Sequence, residues 1–272
     1  MLELEFAELD GATRVVRQFQ QLPLYIFHPL YVDPGRPGMA FIYMLQSGEG
    51  IVQGDRYRLD LNCAPGTAVH FTTQAATKIF HMEDNFATQI VNLTVGAGAF
   101  VEYLPDPVIP FRDSRFYQRL HLTIAPDASG ILGEILLPGR VARDEVLEYA
   151  LYYTDLEART PDGRLLFADR LKLARDSAFP GSPGLLGSYG VFASLYVVTR
   201  TCAAKALVDR LHDCVAALPE VLAGASELPN GCGASVRLLG QTSAAVGAAM
   251  HRLWNEARLS LLGLPAPDLR KH

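Results

Sequence analysis

Residues 52–73, VQGDRYRLDLNCAPGTAVHFTT, contain the pattern that decides the fold. Polar and apolar residues alternate through positions 56–61, which predicts a strand with one buried face. Pro65 and Gly66 follow as a turn, and a second apolar run begins directly after them. The stretch therefore predicts a strand, a tight turn and another strand.

Two later stretches have the same organisation. Residues 87–105 are ATQIVNLTVGAGAFVEYLP and residues 117–138 are YQRLHLTIAPDASGILGEILLP. A spacing of about 30 residues indicates stacked coils of chain. Turn residues punctuate the whole region from about 38 to 175, and Pro161-Asp162-Gly163 predicts a hairpin. We therefore expect a mainly β protein, a β-helical or sandwich-like stack of many short strands.

The last third of the chain has a different pattern. Apolar residues recur every three to four positions in residues 201–222 and 242–262, which predicts two amphipathic helices. Residues 234–239 between them predict one more strand. We expect a single domain over residues 1–272, with a β body over about 1–200 and a helix-containing part over about 201–264.

Composition excludes several classes of function. A net charge of −5 argues against a nucleic-acid surface, because phosphate binding requires a basic field. No apolar run approaches the roughly 20 residues of a membrane span, and no secretory signal is visible at the N-terminus. The four cysteines form no CxxC pair, which is typical of reduced thiols. These features predict a cytoplasmic protein.

Enzyme motifs such as GxSxG, HExxH and GxxxxGK[ST] are absent from the sequence. His70 and His81 lie on either side of a short apolar and hydroxyl-rich segment, where they could contact a nickel or zinc ion transiently. The alternative is that each histidine is a hydrogen-bonded strand residue.

Three carboxylates lie among apolar strand residues: Asp55, Glu134 and Asp169. Burying a carboxylate is costly unless it is hydrogen-bonded, paired or hydrated. Asp55 and Glu134 are also candidates for transient metal contact, together with His70 and His81. The alternatives are a turn cap for Asp55 and an ion pair of Asp169 with Arg170 or Lys172.

Taken together, several segments resemble the urease accessory protein UreD family, which is called UreH in some species. The segments that carry the resemblance are GIVQGDRYRLDL at 50–61, APGTAVHFTTQAATKIF at 64–80, FVEYLPDPVIPF at 100–111, GEILLPGR at 133–140 and LLFADRLKL at 165–173.

The resemblance implies a β-helical, sandwich-like stack with two helices, and a protein that is not an enzyme. It implies binding to the urease apoprotein and to UreF, which recruits the GTPase UreG, so that nickel reaches the urease active site. It implies no permanently bound cofactor, only nickel in transit through a polar passage. The positions that match the passage motifs are Asp55, Thr77, Glu134 and Asp169, with Thr72, Thr73 and Gln74 in the same motif.

Hydroxyl, amide and carboxylate oxygens hold a hydrated divalent cation loosely, as transit requires. The alternative for residues 72–77 is a tightly packed turn in which small residues let backbones approach. Two other functions remain open: a carbohydrate-active enzyme with Asp55 and Glu134 as its acid–base pair, and a simple metal-binding module. The two helices and nearby loops are expected to dock UreF.

Overall fold

The computed structural model describes residues 1–175, 180–216 and 218–269. The mainly β expectation is confirmed, with strands that stack in a solenoid-like arrangement and two α-helices. The first sheet has the spatial order β14-β13-β11-β8-β5-β1-β2. Its strands are β1 (Leu2–Leu9), β2 (Ala12–Gln20), β5 (Arg56–Cys63), β8 (Ala87–Val95), β11 (Arg115–Ile124), β13 (Leu151–Arg159) and β14 (Leu165–Ala174).

The second sheet faces the first and has the order β16-β17-β15-β12-β9-β6-β4-β3. Its strands are β3 (Leu24–Ile26), β4 (Ala40–Gln46), β6 (Ala68–Thr73), β9 (Phe100–Tyr103), β12 (Ser129–Leu136), β15 (Val191–Val198), β16 (Val221–Glu227) and β17 (Gly233–Gly240). Two short strands, β7 (Thr77–Ile79) and β10 (Val108–Pro110), pair with each other beside this path.

The chain passes alternately between the two sheets, and this produces stacked coils. In the first sheet, the parallel neighbours are β5, β8, β11 and β13. In the second sheet, they are β4, β6, β9 and β12. Tyr57 is opposite Gln89, Gln89 opposite Gln118, and Gln118 opposite Thr154. The coils suggested by the repeating sequence pattern are therefore present.

The turns of successive coils also stack, and Gly96 shows why they need small residues. The amide of Gly66 donates a hydrogen bond to the carbonyl of Ala97 over 2.9 Å. A Cβ added at Gly96 would lie 2.7 Å from the nitrogen of Pro65. The backbones approach too closely there for any side chain.

The last coil ends in the expected hairpin. Gly163 has φ +86°, and its amide donates to the carbonyl of Thr160 over 2.9 Å. The antiparallel pair β13–β14 leaves this turn and closes one edge of the first sheet.

Alternation places one set of strand side chains between the sheets. In β6, Val69 and Phe71 belong to the interior core, whereas Ala68 packs in a second cluster on the outer side of the second sheet. That second cluster is covered by α1 (Ala204–Ala216) and α2 (Ser243–Leu262). Both helices therefore lie on the second sheet and leave the outer face of the first sheet to solvent.

The first helix is shorter than the prediction over 201–222. It is described only to Ala216, and residue 217 lies outside the described residues. Pro219 restricts the residue before it to extended conformations and cannot continue a helix. Val221 instead begins β16, where it is opposite Gly240 of β17. The helical spacing that placed residue 221 on a helix face was therefore coincidental.

The second helix occupies the predicted positions. The Thr242 side chain accepts a hydrogen bond from the amide of Ala245 and caps the N-terminus, and Gly263 ends the helix at φ +68°. Trp254 is 5% exposed and packs in the cluster under the helix. Across the described ranges, neither helix is long and apolar enough to cross a membrane.

A buried ionic network joins the second helix to the sheet. Arg258 is fully buried and donates to Glu102 of β9 over 2.9 Å, to Asp33, and to the carbonyl of Pro265 over 3.1 Å. Glu102 also contacts Nδ1 of His70 at 2.6 Å. One arginine therefore ties together the helix, the strand β9 and the segments on both sides.

Candidate functional site

A line of polar side chains runs through the apolar interior, parallel to the stacking direction. Tyr57, Gln89, Gln118 and Thr154 occupy the same register position on β5, β8, β11 and β13, and each is at most 9% exposed. Gln89 donates to the side-chain oxygen of Gln118 over 3.4 Å. Gln46 of β4 donates to the Tyr57 hydroxyl over 3.0 Å. We call these five residues the polar ladder.

The ladder meets a pocket where the edges of the two sheets come together. Gln118 and Thr154 line this edge pocket with Glu134 of β12, Asp169 of β14 and Arg237 of β17. The cavity volume is about 30 Å³, which is room for about two water molecules. The edge pocket therefore brings together Glu134 and Asp169, which are two of the four positions that match the passage motifs.

The two carboxylates of the edge pocket have different surroundings. Asp169 accepts hydrogen bonds from Arg237 Nη2 at 2.6 Å to each carboxylate oxygen, and from the hydroxyl of Tyr196 at 2.8 Å. Glu134 has a longer contact, 3.5 Å from the hydroxyl of Tyr152. Asp169 is an ion-paired carboxylate, whereas Glu134 makes no ion pair among the described residues and is contacted by the hydroxyls of Tyr152 and Thr154.

The different surroundings of the two carboxylates affect the pKa values of the groups in the edge pocket. Burial raises the pKa of Glu134 and the charge of Asp169 adds to this effect, while Arg237 opposes both, so that the pKa is raised to about 7. Burial would lower the pKa of Arg237, but its hydrogen bonds to Asp169 raise it overall. The edge pocket therefore contains a guanidinium–carboxylate pair beside a carboxyl group whose pKa lies near neutral pH.

A larger cavity lies at the opposite end of the ladder. This turn cavity has a volume of about 290 Å³ and is lined by residues that include Gln46, Glu49, Thr73, Gln74, Thr77 and Lys78. Gln46 belongs both to this cavity and to the polar ladder. The polar residues between β6 and β7 therefore face the turn cavity. The polar ladder leads from this cavity to the edge pocket through side-chain contacts and through residues at matching register positions.

The hydroxyls of residues 72–77 divide between two roles. Thr72 points to the helix side of the second sheet, and its hydroxyl donates to the carbonyl of Leu104 over 2.6 Å. Thr73 donates to the carboxylate of Asp106 over 3.1 Å and accepts from the amide of that residue over 2.9 Å. Both hydroxyls thus bind the following coil, as a packed turn would require, while Thr73, Gln74 and Thr77 also line the cavity.

Asp55 lies in the turn that precedes β5, beside the first ladder residue. Its carboxylate accepts a hydrogen bond from the amide of Val52 over 2.9 Å, so it acts as a turn cap. Burial raises the pKa of the Tyr57 hydroxyl, and the neighbouring carboxylate of Asp55 adds to this effect. Asp55 is therefore both a structural cap and a charge at the end of the ladder.

The structure does not bring the four candidate metal contacts together. His70 is fully buried on the helix side of the second sheet, where it binds Glu102 and its ring stacks on Phe41 at 4.9 Å between centroids. His81 lies at the surface and contacts the carbonyl of Arg112 at 3.3 Å. In the described part of the chain, no group of three or more histidine, cysteine, aspartate or glutamate residues is arranged to hold a metal ion.

The arrangement also argues against the acid–base pair of a glycosidase. Asp55 adjoins β5, whereas Glu134 contacts Tyr152 on β13, three strands further along the first sheet. Three strand spacings amount to about 14 Å. A pair of glycosidase carboxylates lies about 5–9.5 Å apart.

The residue patterns in the sequence did not predict two features of the site, the paired glutamines and Arg237. Gln89 and Gln118 stand at equivalent positions in the segments ATQIV and FYQRL, and their recurrence in successive coils was a usable signal. Arg237 gave no signal, because it lies in an ordinary strand pattern and meets Asp169 only through the packing of β17 near β14.

Comparison with known proteins supplies an independent finding. The family model described as "UreD urease accessory protein" matches residues 1–272. A protein of Streptomyces griseus named urease accessory protein UreD 2 is 45% identical over 273 residues, which cover 100% of this chain and 93% of the relative. Proteins named urease accessory protein UreD from Haloarcula marismortui and Cenarchaeum symbiosum are 35% and 31% identical, each over 100% of this chain and over 90% and 95% of the relative.

Proposed function

The chain belongs to the UreD family of urease accessory proteins, and from this membership we propose that it is a non-catalytic scaffold for urease maturation. In this role it binds the urease apoprotein and UreF, and through UreF the GTPase UreG. It helps deliver nickel to the urease active site. Nickel is the cargo of this process and no permanently bound cofactor is needed.

The observation that carries the proposal is the polar ladder. An apolar sandwich core gains nothing from burying two glutamines, a threonine and a tyrosine hydroxyl, because buried polar groups cost free energy unless they are hydrogen-bonded. Here they form one line between the turn cavity and the edge pocket. Such a line supports a route for a hydrated cation through the interior.

The chemistry of the ladder suits transit. Amide and hydroxyl oxygens are neutral, hard ligands that replace water molecules around a divalent cation without trapping it. Conduction requires sites that are favourable enough to enter and weak enough to leave. The carboxylates lie at the two ends, with Asp55 beside Tyr57 and with Glu134 and Asp169 in the edge pocket. We propose that these acids attract the cation and that the ladder passes it on.

The two helices are the proposed docking surface for UreF. Leu207, Leu211 and Val215 of α1 are buried toward the sheet, which leaves the opposite face of that helix available. The outer face of the first sheet is free of helices and is available for the apoprotein. The assignment of UreF follows from family membership, whereas the assignment of the apoprotein rests only on the absence of helices from that face among the described residues.

The test replaces the ladder amides with apolar side chains of similar size, Gln89→Leu with Gln118→Leu. These changes should remove the amide groups of the ladder without removing a charge or a backbone hydrogen bond between coils. The protein would be co-expressed with urease apoprotein, UreF and UreG, and the nickel content and activity of the purified urease would be measured. We expect both to fall while a pull-down still recovers the complex.

The matched control is Gln18→Leu, because Gln18 is an exposed residue of β2 and the chemical change is the same. It should activate urease as well as the wild type. Normal nickel content with the double ladder variant would show that the cation does not travel along this line. Equilibrium dialysis with nickel separates transit from the alternative of a metal-binding module, which predicts tight stoichiometric binding.

A further inference from the structure

The edge pocket is closed by an ion pair that bridges the two sheets. Arg237 comes from β17 of the second sheet and Asp169 from β14, the edge strand of the first sheet. The guanidinium lies 2.6 Å from both oxygens of Asp169, and the Tyr196 hydroxyl holds one of these oxygens at 2.8 Å. The mouth of the pocket is therefore occupied by a positive charge.

This arginine differs in its surroundings from the buried Arg258. The side chain of Arg237 is 47% exposed and that of Asp169 is 25% exposed, so the pair lies at the solvent boundary. Glu134 lies deeper, and the Phe192 ring is 5.9 Å from the guanidinium carbon. A long side chain with half of its surface in solvent can leave the carboxylate without unfolding the strands around it.

The position of the guanidinium has an electrostatic consequence. Asp169 is neutralised by Arg237, so that only Glu134 carries an uncompensated negative charge when it is ionised. A divalent cation that approaches Glu134 is repelled by Arg237 as long as the arginine occupies the mouth. With Arg237 withdrawn, the cation meets two carboxylates and no competing positive charge.

We propose that Arg237 is a tethered cation that occupies the mouth of the passage, competes with the divalent cargo for Asp169 and Glu134, and thereby keeps the site weak. This inference rests on the proposed function, because it assumes that the edge pocket is one end of the cation route. It makes Arg237 the residue that determines how tightly this end holds a cation.

The test measures the affinity of the purified full-length protein for Mn²⁺, a divalent probe that prefers oxygen ligands, by electron paramagnetic resonance at pH 8. Arg237→Gln removes the competing charge and should tighten Mn²⁺ binding about tenfold, the effect of one unit charge about 6 Å from a divalent ion in a water-like dielectric. Arg237→Lys retains the charge and should bind Mn²⁺ as the wild type does.

Two further variants keep the test decisive. Asp169→Asn removes a carboxylate and releases the guanidinium, so it should bind Mn²⁺ more weakly than the wild type even if Arg237→Gln fails to fold. Arg175→Gln is the matched control, because Arg175 is also a half-exposed arginine paired with an aspartate, Asp113, outside the pocket. It should leave the affinity unchanged.

A gain in affinity by Arg237→Gln with an unchanged circular dichroism spectrum separates a competing charge from a merely structural ion pair, because loss of that pair alone would not create a tighter site in the folded protein. The inference is overturned if Arg237→Gln binds Mn²⁺ no more tightly than the wild type. It is also overturned if the affinity of Asp169→Asn for Mn²⁺ equals that of the wild type. Normal activation by the Gln89→Leu/Gln118→Leu variant would refute the passage and leave the result for Arg237 standing. The two conclusions can therefore fail separately.

Discussion

Removing Arg258 should destabilise the protein more than a typical surface change. The guanidinium is fully buried and contacts the carboxylates of Asp33 and Glu102 and the carbonyl of Pro265. In Arg258→Leu, two carboxylates that are at most 4% exposed would lose the guanidinium that contacts them both, and the charge of Arg36, which lies beyond ion-pair distance, would remain near them. Breaking a buried ion pair by removing one partner costs about 3–5 kcal/mol.

Thermal unfolding followed by circular dichroism measures this loss on the full-length chain. For a protein of this size 1 kcal/mol corresponds to about 2–4 °C, so the expected decrease in Tm is about 6–20 °C. The matched control is Arg252→Leu, since Arg252 is exposed on the same helix. That change should alter the free energy of unfolding by less than about 0.5 kcal/mol.

A third variant distinguishes lost charge balance from lost packing. Arg258→Met combined with Asp33→Asn and Glu102→Gln removes the buried guanidinium and both carboxylates that it contacts, while it keeps most of the side-chain volume. Replacing a whole buried ionic network is often tolerated, so this variant should recover more than half of the loss. If Arg258→Leu and Arg252→Leu had equal Tm values, the proposed cost of the unpaired carboxylates would be refuted.

Two further predictions concern titration. The pKa of Glu134 is raised from 4.5 to about 7, so the folded state binds more protons than the unfolded state between these values and stability falls as the pH rises through that window. In Glu134→Gln this decrease should be absent, so that between pH 5 and pH 8 the free energy of unfolding of the variant, measured with urea, should rise by on the order of 1–3 kcal/mol relative to that of the wild type. If the free energies of unfolding of the two proteins changed in parallel with pH, the prediction would be contradicted. Burial raises the pKa of the Cys63 thiol to about 12, so Cys63 should resist alkylation by iodoacetamide at pH 8 in the folded protein and react once urea unfolds it. Rapid labelling of Cys63 under native conditions, located by peptide mass spectrometry, would show that this strand is not buried.

Local patterns predicted much of the fold because they reflect local physical requirements. Alternation through 56–61 and the recurring small-residue turns predicted coils. The second helix begins after Thr242 and ends before Gly263, as its apolar pattern predicted. The first helix was predicted too long because residue 221 satisfies both a helical spacing and a strand. Only the pairing of Val221 with Gly240 resolves that ambiguity.

The candidate site was predictable only in part. Glu134 and Asp169 were identified by residue type and motif, and they do meet in one pocket. His70 could not be assigned, since one position of slip along β6 separates the interior from the helix side. Arg237 was invisible, because nothing near it in the sequence differs from an ordinary strand.

The sequence by itself determined the strand-and-turn repeat, the second helix and the membership of a family, because each depends on residues close together in the chain or on whole-chain similarity. The tertiary structure decided which side chains face the interior, how Gln89 and Gln118 align, and that Arg237 meets Asp169. Those facts depend on the register between coils about 30 residues apart and on the approach of β17 to β14. Register and sheet packing are set by long-range contacts, which a local pattern does not contain.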